Sequence, residues 1–244
     1  AGYGNTSLPT MFYLSIDQEG TKYDYTNVVM KYEGGKWVAY ESDAENAEKK
    51  QLLWEGSEVN VIVTAATFPL PETSTSYALS VQTDQSNADA VKTSDHLYYY
   101  INAVTPSIGG ISIGLNHIMS KITVKLTLGT EYEASETNPI TSVSAFGAST
   151  GATYSPGAES PWSEQSNVSK ITLFPSVEYN TVNRIATYEA IFVPQTIAAN
   201  AFGVEIRIGE KTYEWKSANA FTLTGGTNHT LEMTVGNASS ANIN

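Results

Sequence analysis

A chain of 244 residues, 41% hydrophobic, is long enough for one large β domain or two of about 110–130 residues, each with a full core. Its net charge of −12, carried with two arginines, eleven lysines and no dense basic run, excludes binding to a phosphate backbone. The absence of cysteine excludes disulfides, thiolate metal sites and cysteine nucleophiles, and no run of 18 apolar residues is available to span a membrane as a helix.

Fifteen tyrosines with abundant Thr, Val and Ile favour strands over helices. Phe12, Leu14 and Ile16 alternate and predict a first strand. The runs 25–33 and 36–41 flank Gly34 and Gly35, which predicts a two-residue hairpin pairing Glu33 with Lys36 and Tyr32 with Trp37. Residues 42–53 carry Glu45 and Lys49 at helical spacing, but a charged loop or one short helix is the expectation. Val59, Val61 and Val63 make a strongly apolar strand closed by Phe68 and Pro69. Tyr77, Leu79 and Val81 make another, 83–93 reads as polar turns, and 97–103 is the last strand of this half. Pro106, Gly109 and Gly110 then punctuate the chain, so the expected domains are 1–108 and 109–244.

The stretch 111–129 opens the second half with a change of phase. Apolar side chains sit at odd positions up to Leu115 and at even positions from Ile122 onward. A single strand cannot change phase without turning its apolar face to water, so a bend or change of sheet is predicted at 116–120. Strands follow at 140–146, 168–174, 185–193 and 202–208, with a long loop at 147–167 and a tight turn at Gly209 and Glu210. A hairpin across Gly225 and Gly226 would set the apolar residues Leu223 and Phe221 opposite Asn228 and Thr230, so the flanking strands are assigned to different sheets. Strands at this spacing without intervening helices argue for a sandwich.

Four runs in order resemble the fimbrillin family of pilins and pilus-associated proteins from anaerobic Gram-negative gut and oral bacteria: LNHIMSKITVKL at 115–126, IFVPQTI at 191–197, IRIGEKTYEW at 206–215 and LTGGTNHTLEMTV at 223–235. The segment before Phe68 and Pro69 is a fainter echo in the first half. The resemblance implies an all-β chain of two tandem transthyretin-like antiparallel β-sandwich domains. It also implies export as a lipoprotein to the cell surface or outer membrane, and a place in a type V fimbria. Partners would be other pilus subunits or ligands on host or bacterial surfaces. In such pili a first strand is removed by a protease, and a neighbour's C-terminal strand fills the groove.

Two departures direct the expectation within that family. No arginine precedes Arg184, so arginine-directed cleavage has no target near the start. The tail 236–244 holds one sizeable apolar residue, Ile243, where a donor strand would alternate several. A tip, accessory or adhesive subunit is therefore expected over a stalk pilin. The chain begins at Ala1 rather than Met, and an export signal or lipid-bearing cysteine upstream is expected.

No enzyme, cofactor or metal is expected. Gly147, Ser149 and Gly151 match the spacing of a nucleophile elbow, but nothing after them can form the required helix and no Asp follows Ser149. His96, His117 and His229 are isolated in sequence and read as structural. Asp17, Glu19 and Asp24 lack a calcium-loop spacing and read as a solvated acidic loop. Trp162, in the long loop, is the candidate exposed aromatic for stacking on a sugar, and a glycan-binding module is the alternative function.

Overall fold

The computed structural model describes residues 3, 8–18, 22–56, 59–71, 74–105, 110–237 and 240–243. Among them the first strands are β1 (Met11–Asp17), β2 (Tyr25–Glu33), β3 (Lys36–Tyr40), β4 (Val61–Ala66) and β5 (Tyr77–Ser80). Helix α1 (Ala88–Ser94) precedes β6 (Leu97–Val104), β7 (Asn116–His117), β8 (Ser120–Leu128) and a 3-10 turn at Thr130–Tyr132. Next come β9 (Ile140–Phe146), β10 (Ser149–Tyr154), β11 (Trp162–Val168), β12 (Ile171–Thr172), β13 (Phe174–Asn180) and β14 (Ile185–Phe192). The chain closes with β15 (Gln195–Ile197), β16 (Gly203–Ile208), β17 (Lys211–Lys216), β18 (Phe221–Leu223), β19 (Asn228–Val235) and β20 (Ser240–Ile243).

These elements form two compact units that interleave in sequence, where a single boundary at 108/109 is the sequence expectation. One comprises Asn5–Thr75 and His96–Ile118, the other Ala1–Gly4, Ser76–Asp95 and Met119–Asn244. Strand pairing accounts for the exchange: β5 is bonded to β10, and β6 is bonded to β4.

The first unit is built on one six-stranded sheet in the order β3-β2-β1-β4-β6-β7, antiparallel throughout. The alternation of Phe12, Leu14 and Ile16 places β1 at its centre, since a strand with a continuous apolar face gains most where both neighbours cover it. The predicted hairpin is present with Glu33 opposite Lys36 and Tyr32 opposite Trp37, and Gly34 and Gly35 take the positive φ of 57° and 83° that a primed turn needs. Segment 42–53 is bends and turns rather than helix. Ile111, Ile113 and Leu115 alternate as read, yet they lie in no ladder. They pack as an extended cover on the β1, β2 and β4 core, beside Leu52 and Trp54.

In the second unit β8 is flanked by β14 and β19 in a sheet ordered β13-β14-β8-β19-β20, and its pairing with β19 is parallel. Ile122, Val124, Leu126 and Leu128 are all at most 1% exposed, the single buried phase that the sequence predicts. Further sheets are β12-β9-β16-β17, β11-β10-β5 and the pair β15-β18. The phase change at 116–120 is a change of sheet: β7 belongs to the first unit's sheet, a bend falls at Met119, and β8 enters the second unit. Likewise β18 pairs with β15 while β19 pairs with β8, so Gly225 and Gly226 join strands of different sheets.

Three expectations are corrected. Residues 147–167 are not a long loop, because 149–154 and 162–168 pair as β10 and β11. The strand expected at 168–174 is divided among the end of β11, β12 and the start of β13, and Pro175 sits inside the edge strand β13, where a missing N–H costs no ladder bond. Residues 88–94 form helix α1, capped by the Asn87 side chain accepting from the Ala90 N–H at 2.9 Å.

Candidate interaction surface

The sequence places its chemistry at scattered positions, and the structure keeps them apart. Ser149 opens β10 at 9% exposed, with its N–H donating to Gln195 Oε1 at 2.8 Å and its carbonyl accepting from Gln195 Nε2 at 2.9 Å. A strand follows it rather than a helix, so the elbow geometry is absent. His229 on β19 is half-buried, and its Nε2 accepts from the Thr224 N–H at 3.1 Å. Burial pushes its imidazole pKa down. His96 packs edge-on to Phe68 at 5.7 Å between ring centroids, and His117 lies on β7. Asp24 Oδ1 accepts from the Gln18 N–H at 2.7 Å; Glu19 lies outside the described residues. Among the described residues no three His, Asp or Glu side chains gather as a metal site.

Two surface strands carry what remains. Trp162 begins β11, half-buried, its ring 4.9 Å from Tyr154 and tilted by 38°. Tyr154 in turn lies 6.3 Å from Tyr77, and burial raises its phenol pKa. The rest of β11, Ser163 to Val168, is exposed and mostly polar. Its pairing with β10 slips between Gly151 and Thr153, and Glu164 and Asn167 take positive φ, so this edge is irregular.

By contrast β17, the outer strand of β12-β9-β16-β17, runs six consecutive pairs along β16 without a register shift. Gly209 and Glu210 form a two-residue turn, so Ile208 and Lys211 flank it as a mutually bonded pair and the bonding alternates outward from there. The Ser217 N–H donating to Phe202 O at 2.9 Å fits that alternation. The backbone groups of Thr212, Glu214 and Lys216 therefore point away from β16. Tyr213 and Trp215 are half-buried between exposed charged or polar neighbours, and Tyr132 and Tyr213 share a hydroxyl hydrogen bond of 2.7 Å. The edges formed by β3 and β13 are less open: the 41–50 segment bonds along β3 through Lys50 N to Ala39 O, and β13 is broken by two register shifts and Pro175. Sequence reasoning missed β17 as an edge because a hairpin strand read alone does not reveal which sheet order it ends.

Solved structures share this fold. A candidate cell adhesion protein from Bacteroides ovatus ATCC 8483 superposes with a TM-score of 0.69 at 16% identity, covering 100% of this chain and 88% of that one. A candidate cell adhesion protein from Bacteroides uniformis ATCC 8492 gives 0.61 at 12% identity, over 96% and 91% of the two chains. A fimbrial protein from Bacteroides ovatus ATCC 8483 gives 0.52 at 14% identity, over 93% of this chain and 44% of that one. Among curated proteins none matches. The fimbrillin-like family matches residues 10–244, and the chain belongs to that family.

Proposed function

We propose that this chain is an exported cell-surface protein that works as an accessory or adhesive subunit of a fimbria, and not as an enzyme. The observation that carries the reading is the family match over residues 10–244. An accessory place is favoured over a stalk place by the pairing of Ser240–Ile243 along β19 of their own unit, in cis, since a strand donated to a neighbour would have to leave that sheet. Contact with a partner subunit runs through β17, whose regular outer edge offers the Thr212, Glu214 and Lys216 backbone groups to an added strand.

Glu214→Pro tests the contact. It removes an outward N–H that β16 does not use, so the chain stays folded by circular dichroism. The variant is expected to be lost from the sheared fimbrial fraction of expressing cells, while the wild type is retained. Retention of the variant at wild-type level removes the β17 assignment and leaves the family reading standing.

A second reading is carried by Trp162. A half-buried indole backed by Tyr154, at the start of an exposed strand bearing Gln165 and Asn167, has the parts of a sugar-stacking platform. Glycan-array binding that Trp162→Ala abolishes supports it, and an array without signal removes it.

A further inference from the structure

The side chains of β17 decide what can join its open edge. Thr212, Glu214 and Lys216 carry the outward backbone groups and are exposed, while Tyr213 and Trp215 are half-buried on the opposite face. Lysine on an exposed edge ordinarily deters pairing with another strand. Here Glu214 stands two residues from Lys216 on the same face, so the strand carries its own answer to that charge. In the single chain Lys216 Nζ lies 5.8 Å from the centre of the Phe146 ring, a weak exposed contact that a facing carboxylate can replace.

A second β17 laid antiparallel on this edge meets it about a two-fold axis, and residues whose backbone groups point outward must face one another. Three registers keep most of the strand paired. An axis at Glu214 sets the two Glu214 carboxylates directly opposite, which is destabilising. An axis at Tyr213 sets Glu214 opposite Thr212 and leaves Lys216 opposite Glu210, in the turn rather than the strand. An axis at Trp215 sets Glu214 of each copy opposite Lys216 of the other, each pair exchanging its N–H and C=O bonds. It also brings the two half-buried indoles side by side as a closely spaced non-hydrogen-bonded pair. We propose that β17 is capped by β17 of a second copy of this chain, antiparallel about a two-fold axis at Trp215. This rests on the reading of β17 as the contact edge, and it adds what holds that edge before another subunit takes it. A single strand pair falls below the size of a stable dimer interface, so association is weak and set by concentration, as suits an edge that must later be released.

The test is sedimentation equilibrium of the full chain from low micromolar to millimolar concentration. A monomer–dimer equilibrium is expected, weakened by added salt because the facing charges are exposed. Glu214→Lys and Lys216→Glu each turn both facing pairs from attraction to repulsion, and each should weaken the dimer about tenfold. An equimolar mixture of the two single variants should associate as the wild type does, because each copy then offers the charges that the other lacks. The proposal is overturned by a chain that stays monomeric throughout, by a dimer that neither reversal weakens, or by a mixture that associates no better than its components. The salt series needs no variant, and a dimer indifferent to salt also overturns the proposal. The contact reading is judged separately by the fimbrial retention of Glu214→Pro. A monomeric wild type whose Glu214→Pro variant is lost from fimbriae removes the second copy and keeps the contact edge. A charge-controlled dimer whose Glu214→Pro variant is retained keeps the second copy and removes the fimbrial use of β17.

Discussion

Three fully or nearly buried glutamines do in this chain what ladder neighbours do elsewhere. Gln195 accepts from the Ser149 N–H and donates to the Ser149 and Val193 carbonyls, all at 2.8–2.9 Å. Gln85 accepts from the Ile191 N–H at 2.8 Å and donates to the Ile191 and Gln82 carbonyls. Gln18 accepts from the Glu55 N–H and donates to the Tyr23 and Leu53 carbonyls. Each joins backbone where the strands part, and a buried backbone group left unbonded costs about 1–3 kcal/mol. Gln195→Met, nearly isosteric, should therefore lower the unfolding free energy by about 3 kcal/mol, read from urea denaturation. A change below 1 kcal/mol would mean that water replaces the amide. None of this was legible in the sequence, because a lone Gln in a strand pattern reads as surface; only the VPQTI run, singled out by resemblance, pointed at Gln195.

His229 gives a pH signature at the same scale. Its folded-state pKa lies below the ordinary value of about 6.5 because burial disfavours the imidazolium, and the Thr224 N–H needs a neutral Nε2 to donate to. The unfolded chain thus takes up the proton first. The contribution of His229 is full above about pH 6.5 and is lost as pH falls through the lower folded value. Wild type should lose more stability between pH 7.5 and pH 5 than His229→Gln does. Parallel pH profiles for the two would show that the ring titrates as freely in the folded chain as in the unfolded one.

At the scale of elements, period and turn chemistry carried most of the reading. The β2–β3 hairpin register follows from two glycines and two matched pairs, and β8 follows from one unbroken alternation. The separation of β18 from β19 came from a register that would have faced apolar against polar residues. Where the pattern was weak, the reading failed for physical reasons. β10 and β11 carry Ser149, Gly151, Ser163, Ser166 and Asn167, residue types whose propensities favour loops, and tertiary pairing with β5 overrides them. Helix α1 has seven residues, too few for a 3.6 period, and is fixed by the Asn87 cap and by burial of Ala90 and Ser94. The segment 111–115 shows the converse: its alternation is real and its apolar side is half-buried, but it covers a sheet without joining one, and sequence pattern does not distinguish the two.

For the whole molecule, the order of strands in the sheets outranks the order of residues in the chain. The glycine and proline punctuation at 106–110 suggested a boundary, yet β5, Thr83 and Gln85 lie before it and bond to β10, Thr172 and Ile191 after it. A fragment of residues 109–244 leaves one side of β10 unpaired and the Ile191 backbone without its partner. We propose that it is less stable than the same fragment supplied with a peptide of residues 76–95, by several kcal/mol in chemical denaturation. A fragment unaffected by that peptide would restore the contiguous division. The functional reading also belongs to this scale, because it rests on the match across residues 10–244 rather than on any one side chain. The most direct measurement is immunogold electron microscopy of intact, unpermeabilised cells that express the native protein, with an antibody raised against this chain. The account predicts gold on the cell surface along or at the ends of filaments. Label that appears only after the cells are opened, with the protein recovered in the cytoplasmic fraction, would contradict it.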